Sequence, residues 1–440
     1  MSENLSKRIL EQSMALLDKS LEVTSPENLV KNSIKLINNK LSINDEEIKN
    51  YKKIHVIGFG KASLKMYQGF YEVLGYKNIS RALLVTHITK SSYSYPKTKI
   101  IISSHPFISK KSEKAAKSII KFVRNIATDD LLIVLVSGGG SAMLSLPIDD
   151  LSLNEKINYI SKILIAGIPE REANEIKKSL SKIKGGGISE NAGCSQIVNL
   201  FLSDERNHQF DAIASGPSTQ KKYIDPNSFI KKYELEDITS VKIRNIFKKL
   251  SASNNKNYKS KKIKNFLIGS RENLLQTIAD NSSDFNFSRV YFLKNLAEIS
   301  TENAASYLSC EYKRIYKNAK KGMNLVVSSG EIQVPIVNPK TAKGGRNQHL
   351  AAMMMKNHQF NFPFVFIAYA TDGMDFLEGV TGAYYADYHL NLIKEKQEYI
   401  TQAIRKNQTY NLHHSFKTLL EGKKTGNNVS DIYLFSFFKD

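Results

Sequence analysis

Leu131-Leu132-Ile133-Val134-Leu135-Val136-Ser137-Gly138-Gly139-Gly140-Ser141 is the stretch on which the reading of this chain turns. Six apolar residues bounded by turn residues form a run too short for a buried helix. They read as a strand covered on both faces, a feature of parallel sheets. Three glycines follow at once. They let backbone N–H groups approach a phosphate with no Cβ in the way. The alternative is a flexible turn, which is entropically costly directly after a buried strand.

Working outward, residues 54–57 read as a short strand, followed by Gly58-Phe59-Gly60 and a helix from 61 to about 71. Residues 82–86 and 99–103 read as strands, 109–125 as a helix, 154–166 and 170–183 as helices, and 196–202 as another strand. This alternation predicts an α/β fold whose N-terminal domain is a Rossmann-like, mainly parallel sheet with helices on both faces. The Lys/Asn/Ser-rich stretch 248–264 reads as a basic linker or loop. Phe266-Leu267-Ile268 then opens a second α/β unit, with strands at 288–293, 325–327, 364–370 and 432–438 and a helix over 297–320. The expected division is residues 1–247, the linker 248–264, and residues 265–440. His413-His414 reads as loop.

The bulk composition of the 440 residues, 41% hydrophobic and 24% charged, is that of a globular protein long enough to bury a large core. No apolar run approaches the ~18 residues of a membrane span. Residues 1–23 place Ile9, Leu10, Met14, Leu17 and Leu21 at helical spacing, an amphipathic surface helix rather than a secretory leader, so a cytoplasmic protein is expected. Cys194 and Cys310 fit no metal knuckle or redox pair and read as buried free thiols. The net charge of +21 would suit a nucleic-acid binder. Lysines carry it, however, and are scattered along the whole chain, while arginine is scarce. A solvated basic surface that attracts small anions is the better reading, and neither a membrane nor nucleic acid is an expected partner.

In open parallel sheets, ligands bind outside the carboxyl ends of the strands. There the sequence places Gly58-Phe59-Gly60-Lys61-Ala62-Ser63, Ser104-His105-Pro106, Ser137 to Ser141, Ser203-Asp204 and, in the second unit, Thr371-Asp372-Gly373. Gly58-Phe59-Gly60 begins like a dinucleotide fingerprint. The third glycine position is Ser63, though, and the next strand ends in Thr86-His87 rather than an acid. Lys61 at a helix start opposes the helix dipole unless an anion is bound, or it is a solvated surface lysine. There is no Walker motif, no protein-kinase set and no metal-ligand histidine spacing. Lys184-Gly185-Gly186-Gly187 reads as a helix C-cap or a second anion loop. Gly344-Gly345-Arg346-Asn347-Gln348, before a helix, offers an N-terminal anion site with a fixed positive charge.

Taken in order, these segments resemble the glycerate 2-kinases that carry a C-terminal MOFRL domain. The resemblance runs from about residue 54 to residue 431. It also includes Asn174, Ser181-Lys182-Ile183-Lys184-Gly185-Gly186, Ile213-Ala214-Ser215-Gly216-Pro217, Gly330-Glu331, Thr371-Asp372-Gly373-Met374-Asp375 and Asn428-Val429-Ser430-Asp431. It implies a kinase that moves the γ-phosphoryl of ATP to the 2-hydroxyl of D-glycerate with Mg²⁺ or another divalent cation. It also implies an active site in the cleft between the N-terminal domain and a C-terminal α/β MOFRL-like domain. The family's catalytic lysine and arginine match Lys61 and Arg346. Gly58, Gly60, Ser137, Gly138, Gly139, Gly140, Ser141, Lys184, Gly185, Gly186, Gly344 and Gly345 would then hold nucleotide phosphates. Ser63, His105, Asn174 and Asn347 would hold the acceptor. Asp204 and Asp372 would bind metal, with Asp204 also a candidate to take the substrate proton, although either carboxylate also suits a helix N-cap or turn.

The chain departs from the family's pattern in several places: Lys177 stands for a usual arginine, Gly187 for a larger residue, Asn207-His208 for a Gly-Asp pair, Phe376 for a glycine and Asn427 for a threonine. These changes bear on how a substrate carboxylate or metal is held, so another sugar acid or polyol stays open as acceptor. A hydroxypyruvate reductase-like oxidoreductase and a non-catalytic anion binder are the rival readings. A homodimer is compatible with the sequence.

Overall fold

The computed structural model describes residues 2–88, 94–203, 209–220, 225–252, 261–358, 360–422, 425–427 and 429–440. The chain forms two compact units. One is Pro26–Gly269; the other joins Met1–Ser25 to Ser270–Asp440. The chain starts with α1 (Ser2–Val23), a helix of the second unit.

The Pro26–Gly269 unit opens with α2 (Pro26–Ser33) and an antiparallel meander, β1 (Ile34–Ile37), β2 (Lys40–Ile43) and β3 (Glu46–Ile48). Asn38, Asn39, Asn44 and Asp45 have positive φ at its two turns, the conformation that tight hairpins demand and that Asn and Asp tolerate. The main sheet is built from β4 (Ile54–Phe59), β5 (Ile79–Thr86), β6 (Thr98–Ile102), β7 (Leu131–Val136), β8 (Gln196–Ser203) and β9 (Lys262–Ser270). Its order is β6-β5-β4-β7-β8-β9. Counted within the sheet this is 3-2-1-4-5-6, the Rossmann order. The pairs β5/β6, β4/β5, β4/β7 and β7/β8 are all parallel.

Helices cover both faces. Alternate residues Ile57, Phe59, Leu83, Val85, Leu132, Val134 and Val136 form one core with Ala115, Ala116, Ile119 and Val123 of α4 (Lys110–Arg124). Ser109 caps α4 through a reciprocal capping box with Ser112. On the opposite face Gly58 and Leu84 turn toward α3 (Ser63–Asn78). A separate helical cluster joins α6 (Leu153–Ile165), α7 (Glu170–Ser179), α9 (Pro226–Lys232) and α10 (Val241–Ala252) around Tyr159, Ile163, Ile176, Leu180 and Phe247. The short helices α5 (Gly140–Met143) and α8 (Gly187–Asn191) follow the two glycine runs.

The second unit contains α11 (Arg271–Asn281), β10 (Phe287–Asn295), α12 (Thr301–Asn318), β11 (Gly322–Ser329), α13 (Arg346–Lys356), β12 (Phe364–Ala370), β13 (Val380–Ala386), α14 (Leu390–Glu395), α15 (Gln397–Arg405), α16 (Thr409–Phe416), β14 (Leu419–Glu421) and β15 (Asp431–Lys439). The sheet order is β10-β11-β15-β12-β13-β14. Only β10/β11 is parallel; the other neighbours are antiparallel. One face is aromatic, with Phe364, Phe366, Phe435 and Phe437 packed on α12, α13 and α15. The other carries α1, whose Ile9, Leu16 and Leu17 are fully buried and whose Ser13 hydroxyl bonds that of Ser436 in β15 at 2.7 Å.

Four expectations need correction. First, the stretch 248–264 is not one linker: α10 runs to Ala252 and β9 begins at Lys262, with residues 253–260 outside the described residues. Second, β9 belongs to the Rossmann-type sheet, so Phe266-Leu267-Ile268 close that unit instead of opening the next, and the crossover falls at 269/270. Residues 1–25 belong with the other unit, because α1 buries its apolar stripe on that unit's sheet. Third, His413 and His414 lie in α16. His413 is buried, with its ring nitrogens 2.8 Å from Thr418 Oγ1 and from the Gln348 carbonyl. Fourth, Cys194 is buried but Cys310 is exposed, lying on the open side of α12.

Candidate active site

In a 3-2-1-4-5-6 sheet the order reverses between the first and fourth strands, and the crevice at their carboxyl ends is the ligand site. Here those strands are β4 and β7, and the turns that leave them are locked together. Lys61 N–H donates to the Gly138 carbonyl at 2.9 Å, Ser137 N–H to the Phe59 carbonyl at 3.2 Å, and Ala62 N–H to Ser137 Oγ at 3.0 Å. Gly60, at φ +114°, is required by this contact, since a Cβ there would lie 2.3 Å from Ser137 Oγ. Gly139, at φ +80°, is where three predicted residues meet. A Cβ on it would sit 2.9 Å from the His105 ring and 3.2 Å from Lys61 Cγ. Ser137 itself is buried and structural. Among the described residues none accepts a hydrogen bond from the backbone N–H of Gly138, Gly139, Gly140 or Ser141. Open N–H groups on successive residues beside a lysine are a chemistry suited to an anion.

Beneath this turn lies a polar network. Lys184 Nζ donates to the Ser141 carbonyl at 2.7 Å, contacts Ser141 Oγ, and lies 3.5 Å from Ser215 Oγ. Ser215 Oγ donates to Asn174 Oδ1 at 2.8 Å and lies 3.0 Å from Ser141 Oγ. Lys184 is fully buried. Burial first, then the like charges of Lys156, Lys177 and Lys178, push its amine well below the usual lysine range. Lys156 is buried with no partner for its Nζ among the described residues, and burial lowers it to about 7. Among the described residues, Lys178 alone in the group has an acid, Glu175, at 2.7 Å.

Several predicted residues do other work. The N–H groups of Gly185 and Gly186 donate to the carbonyls of Ser215 and Gly216 at 2.9 and 2.7 Å, so this loop braces the 214–217 turn and has no N–H left for a phosphate. Lys184 faces the underside of the Ser141 turn and not an open phosphate site. Ser63 is buried, with its hydroxyl on the carbonyls of Gly60 and Val85, so it cannot reach an acceptor. A Cβ at Gly187 would lie 2.2 Å from the Lys182 carbonyl, so the larger residue usual in the family has no room in this turn. Asp204, with Asn207 and His208, lies outside the described residues.

In the other unit, Arg346 opens α13 and its guanidinium is forked between two carboxylates. Nε lies 2.5 Å from Asp431 Oδ2, Nη1 lies 3.0 Å from Glu331 Oε2, and Nη2 lies 2.8 Å from Glu331 Oε1. Burial opposes the guanidinium charge, but Asp431 and then Glu331 outweigh it and hold the proton more tightly than usual. Burial pushes the Asp431 carboxyl up, to about 7, against the pull of Arg346. The predicted N-terminal anion site is already filled from within. The Asp375 carboxylate accepts from Asn347 N–H at 3.1 Å and Gln348 N–H at 2.9 Å, and from both side-chain amides at 3.1 and 2.9 Å. Gly345 is glycine because a Cβ would lie 2.1 Å from Asp375 Oδ1. A Cβ at Gly344, at φ +132°, would meet Thr409 Oγ1 at 2.3 Å. Asn347 is fully buried between Asp375 and Asp431, so it supports the site and does not face an acceptor. Asp372 Oδ1 caps Met374 N–H at 3.0 Å in a turn. No three His, Cys, Asp or Glu side chains among the described residues converge as a metal site. No helix among them is long and apolar enough to cross a membrane.

Ser215, Lys156, Glu331, Asp375 and Asp431 carry much of this geometry. Four of them stood in quoted motifs without a role; Lys156 stood in none.

A Rossmann-order sheet with a glycine-rich turn beside a lysine at its switch point, joined to a second α/β unit that carries a paired arginine, defines the class. The sequence matches the domain of unknown function DUF4147 over residues 12–248 and the MOFRL family over residues 324–431. The chain belongs to this family, that of the glycerate 2-kinases with a C-terminal MOFRL domain. Its relatives include glycerate 2-kinases of Picrophilus torridus (28% identical, 96% of this chain and 95% of the relative) and Pyrococcus horikoshii (25% identical, 97% of each). A solved glycerate kinase from Thermotoga maritima shares the fold with TM-score 0.80 at 23% identity, over 99% of this chain and 100% of that one.

Proposed function

We propose that this protein is an ATP-dependent D-glycerate 2-kinase, forming 2-phosphoglycerate and ADP. The observation that carries the reading is the unused row of N–H groups at 138–141 beside Lys61, at the switch point of the sheet. Its support is the family and the full-length glycerate 2-kinase relatives. Phosphoryl transfer asks little covalent help of a protein; it asks for in-line positioning and neutralised oxygens. The cradle and Lys61 take the nucleotide's phosphates. His105 and Asn174 line the acceptor's side, where Lys177 takes the part of a carboxylate-binding cation. Arg346 supplies the second cation. Asp431, buried, anchors it, and the half-exposed Glu331 is the weaker partner that the γ-phosphoryl displaces. A divalent ion would enter on the nucleotide's phosphates, as Mg²⁺ commonly does. The described residues build no metal cage of their own, and Asp372 is engaged in its turn.

The test is coupled ADP release with ATP, Mg²⁺ and a panel of small hydroxy acids and polyols, with the phosphorylated position read by NMR. D-Glycerate gives the highest kcat/KM. Lys61→Ala and Arg346→Ala each lower kcat by at least about 100-fold with the fold intact, as loss of a transition-state charge partner does. Near-wild-type turnover in both variants would remove their roles. NADH-dependent reduction of hydroxypyruvate would replace the reaction class.

A further inference from the structure

The Ser141–Lys184 contact is larger than its supporting role explains. A phosphate cradle needs backbone N–H groups and a cation, and Lys61 already supplies the cation. Lys184 lies on the far side of the turn, fully buried, and touches a partly exposed serine hydroxyl. Among the described residues no carboxylate pairs with it. The charged side chains around it are Lys156 of α6, and Lys177 and Lys178 of α7, the last held by Glu175; Lys182 is turned to Asp149. A buried amine with like charges around it and only neutral acceptors is most stable without its proton.

Lys184 Nζ directs its donors at the Ser141 carbonyl, at Ser141 Oγ and toward Ser215 Oγ. A neutral amine at this place would keep N–H bonds to the Ser141 carbonyl and Ser215 Oγ and turn its lone pair on the Ser141 hydroxyl, which lies within its reach. Ser215 is turned into place by two successive left-handed residues, Ala214 at φ +52° and Ser215 at φ +65°, and is fixed by Asn174. Backbone strain of this kind persists where the surroundings demand it. A hydroxyl on a base, the base oriented by a third group, and unused N–H donors nearby make up the general signature of an activated nucleophile.

We infer that Ser141 is a nucleophile toward tetrahedral phosphorus, with Lys184 as its general base and Ser215 and Asn174 as positioning residues. Lys184 Nζ takes the Ser141 proton as Oγ bonds to phosphorus. With ATP, the bond from the γ-phosphorus to the bridging oxygen breaks, its electron pair leaves with ADP, and phosphoserine remains beside a protonated Lys184. With a fluorophosphonate, the P–F bond breaks and fluoride leaves. The ATP limb rests on the proposed kinase; the fluorophosphonate limb does not.

The experiment treats the full chain with an alkyl fluorophosphonate and, separately, with γ-labelled ATP in the absence of acceptor, and maps the modified residue by mass spectrometry. Close to one equivalent is expected at Ser141, lost in Ser141→Ala and slowed at least about 100-fold in Lys184→Met. The wild-type rate rises with pH as the amine loses its proton, and levels off well below the ordinary lysine pKa of 10.5. That profile decides the matter even if Lys184→Met folds poorly. Fluorophosphonate labelling away from Ser141, equal labelling in folded Lys184→Met, or a rate still climbing past pH 10.5 would overturn the inference. Fluorophosphonate at Ser141 with no label from ATP supports the nucleophile and overturns the ATP limb alone; the kinase itself is decided separately by ADP release with acceptor present.

Discussion

The turns at 137–141 and 344–348 both gather glycines where backbone N–H groups converge beside a cation, and they use the same backbone device for opposite ends. Among the described residues, the donors at Gly138, Gly139 and Gly140 have no protein acceptor, and the buried lysines behind them, Lys184 and Lys156, have no acid. At Asn347 and Gln348 the donors are filled by Asp375, and Arg346 is held by Asp431 and Glu331. The first turn gathers positive charge that no carboxylate among the described residues answers. The second is neutralised from within, so its glycines serve the close approach of the protein's own carboxylate. A glycine-rich turn before a helix shows that something negative comes close. It does not show whose charge it is.

The comparison can be broken from the filled side first. Asp375→Ala strands two backbone N–H groups and two amides in a buried place. It lowers unfolding stability by about 3–5 kcal/mol, read by urea denaturation. A loss under about 1 kcal/mol would mean that the carboxylate is not what holds the start of α13. On the open side, Lys156→Met replaces a buried, unpartnered amine with an apolar side chain of similar length. The unfolded chain binds this proton up to about 10.5 and the folded chain only to about 7. Wild-type stability therefore rises with pH across that window, and below it the full penalty of charging the buried amine is carried. The variant is more stable by about 2–4 kcal/mol at pH 7, and its advantage shrinks toward pH 10. A variant less stable at pH 7 would show that Lys156 finds an anion the described residues do not supply. The smallest effect concerns Phe376, next to Asp375, exposed and at φ +69°. Phe376→Gly removes the left-handed strain and adds about 0.5–1 kcal/mol of stability, measured as a rise in Tm. A fall in Tm would mean that the ring packs on something that compensates it.

Much of the Rossmann-type unit was legible because its strands are mostly apolar runs and several lead straight into glycine or serine. Leu131–Val136 is placed to the residue, and α4 within one residue at each end. What stayed hidden was held by context. The start of Lys262–Ser270 reads as linker and its middle as the opening of the second unit, because an edge strand with one open face alternates Lys and Asn with apolar residues, and only its last three residues are buried. The periodicity of α1 shows that it has a buried face but cannot show which sheet receives it. At the site, local sequence brought out Lys61, His105 and the 137–141 turn, since each directly follows a strand. Asp375, Asp431 and Lys156 take their meaning from residues distant in the chain, Lys156 from its neighbour Lys184 and the others from α13, and no spacing rule reveals that.

The place of α1 has a consequence for how the molecule is made. Its binding surface on β12 and β15 does not exist until the last strand has been synthesised. At ~5–20 residues per second, the helix waits roughly 20–80 s as an unshielded amphipathic segment while Pro26–Gly269 is free to fold around its own core. The order of emergence from the ribosome therefore makes the Rossmann-type unit the natural first folder. The other unit closes only when both ends of the chain meet, so a fragment starting at residue 265 would leave one face of its sheet bare.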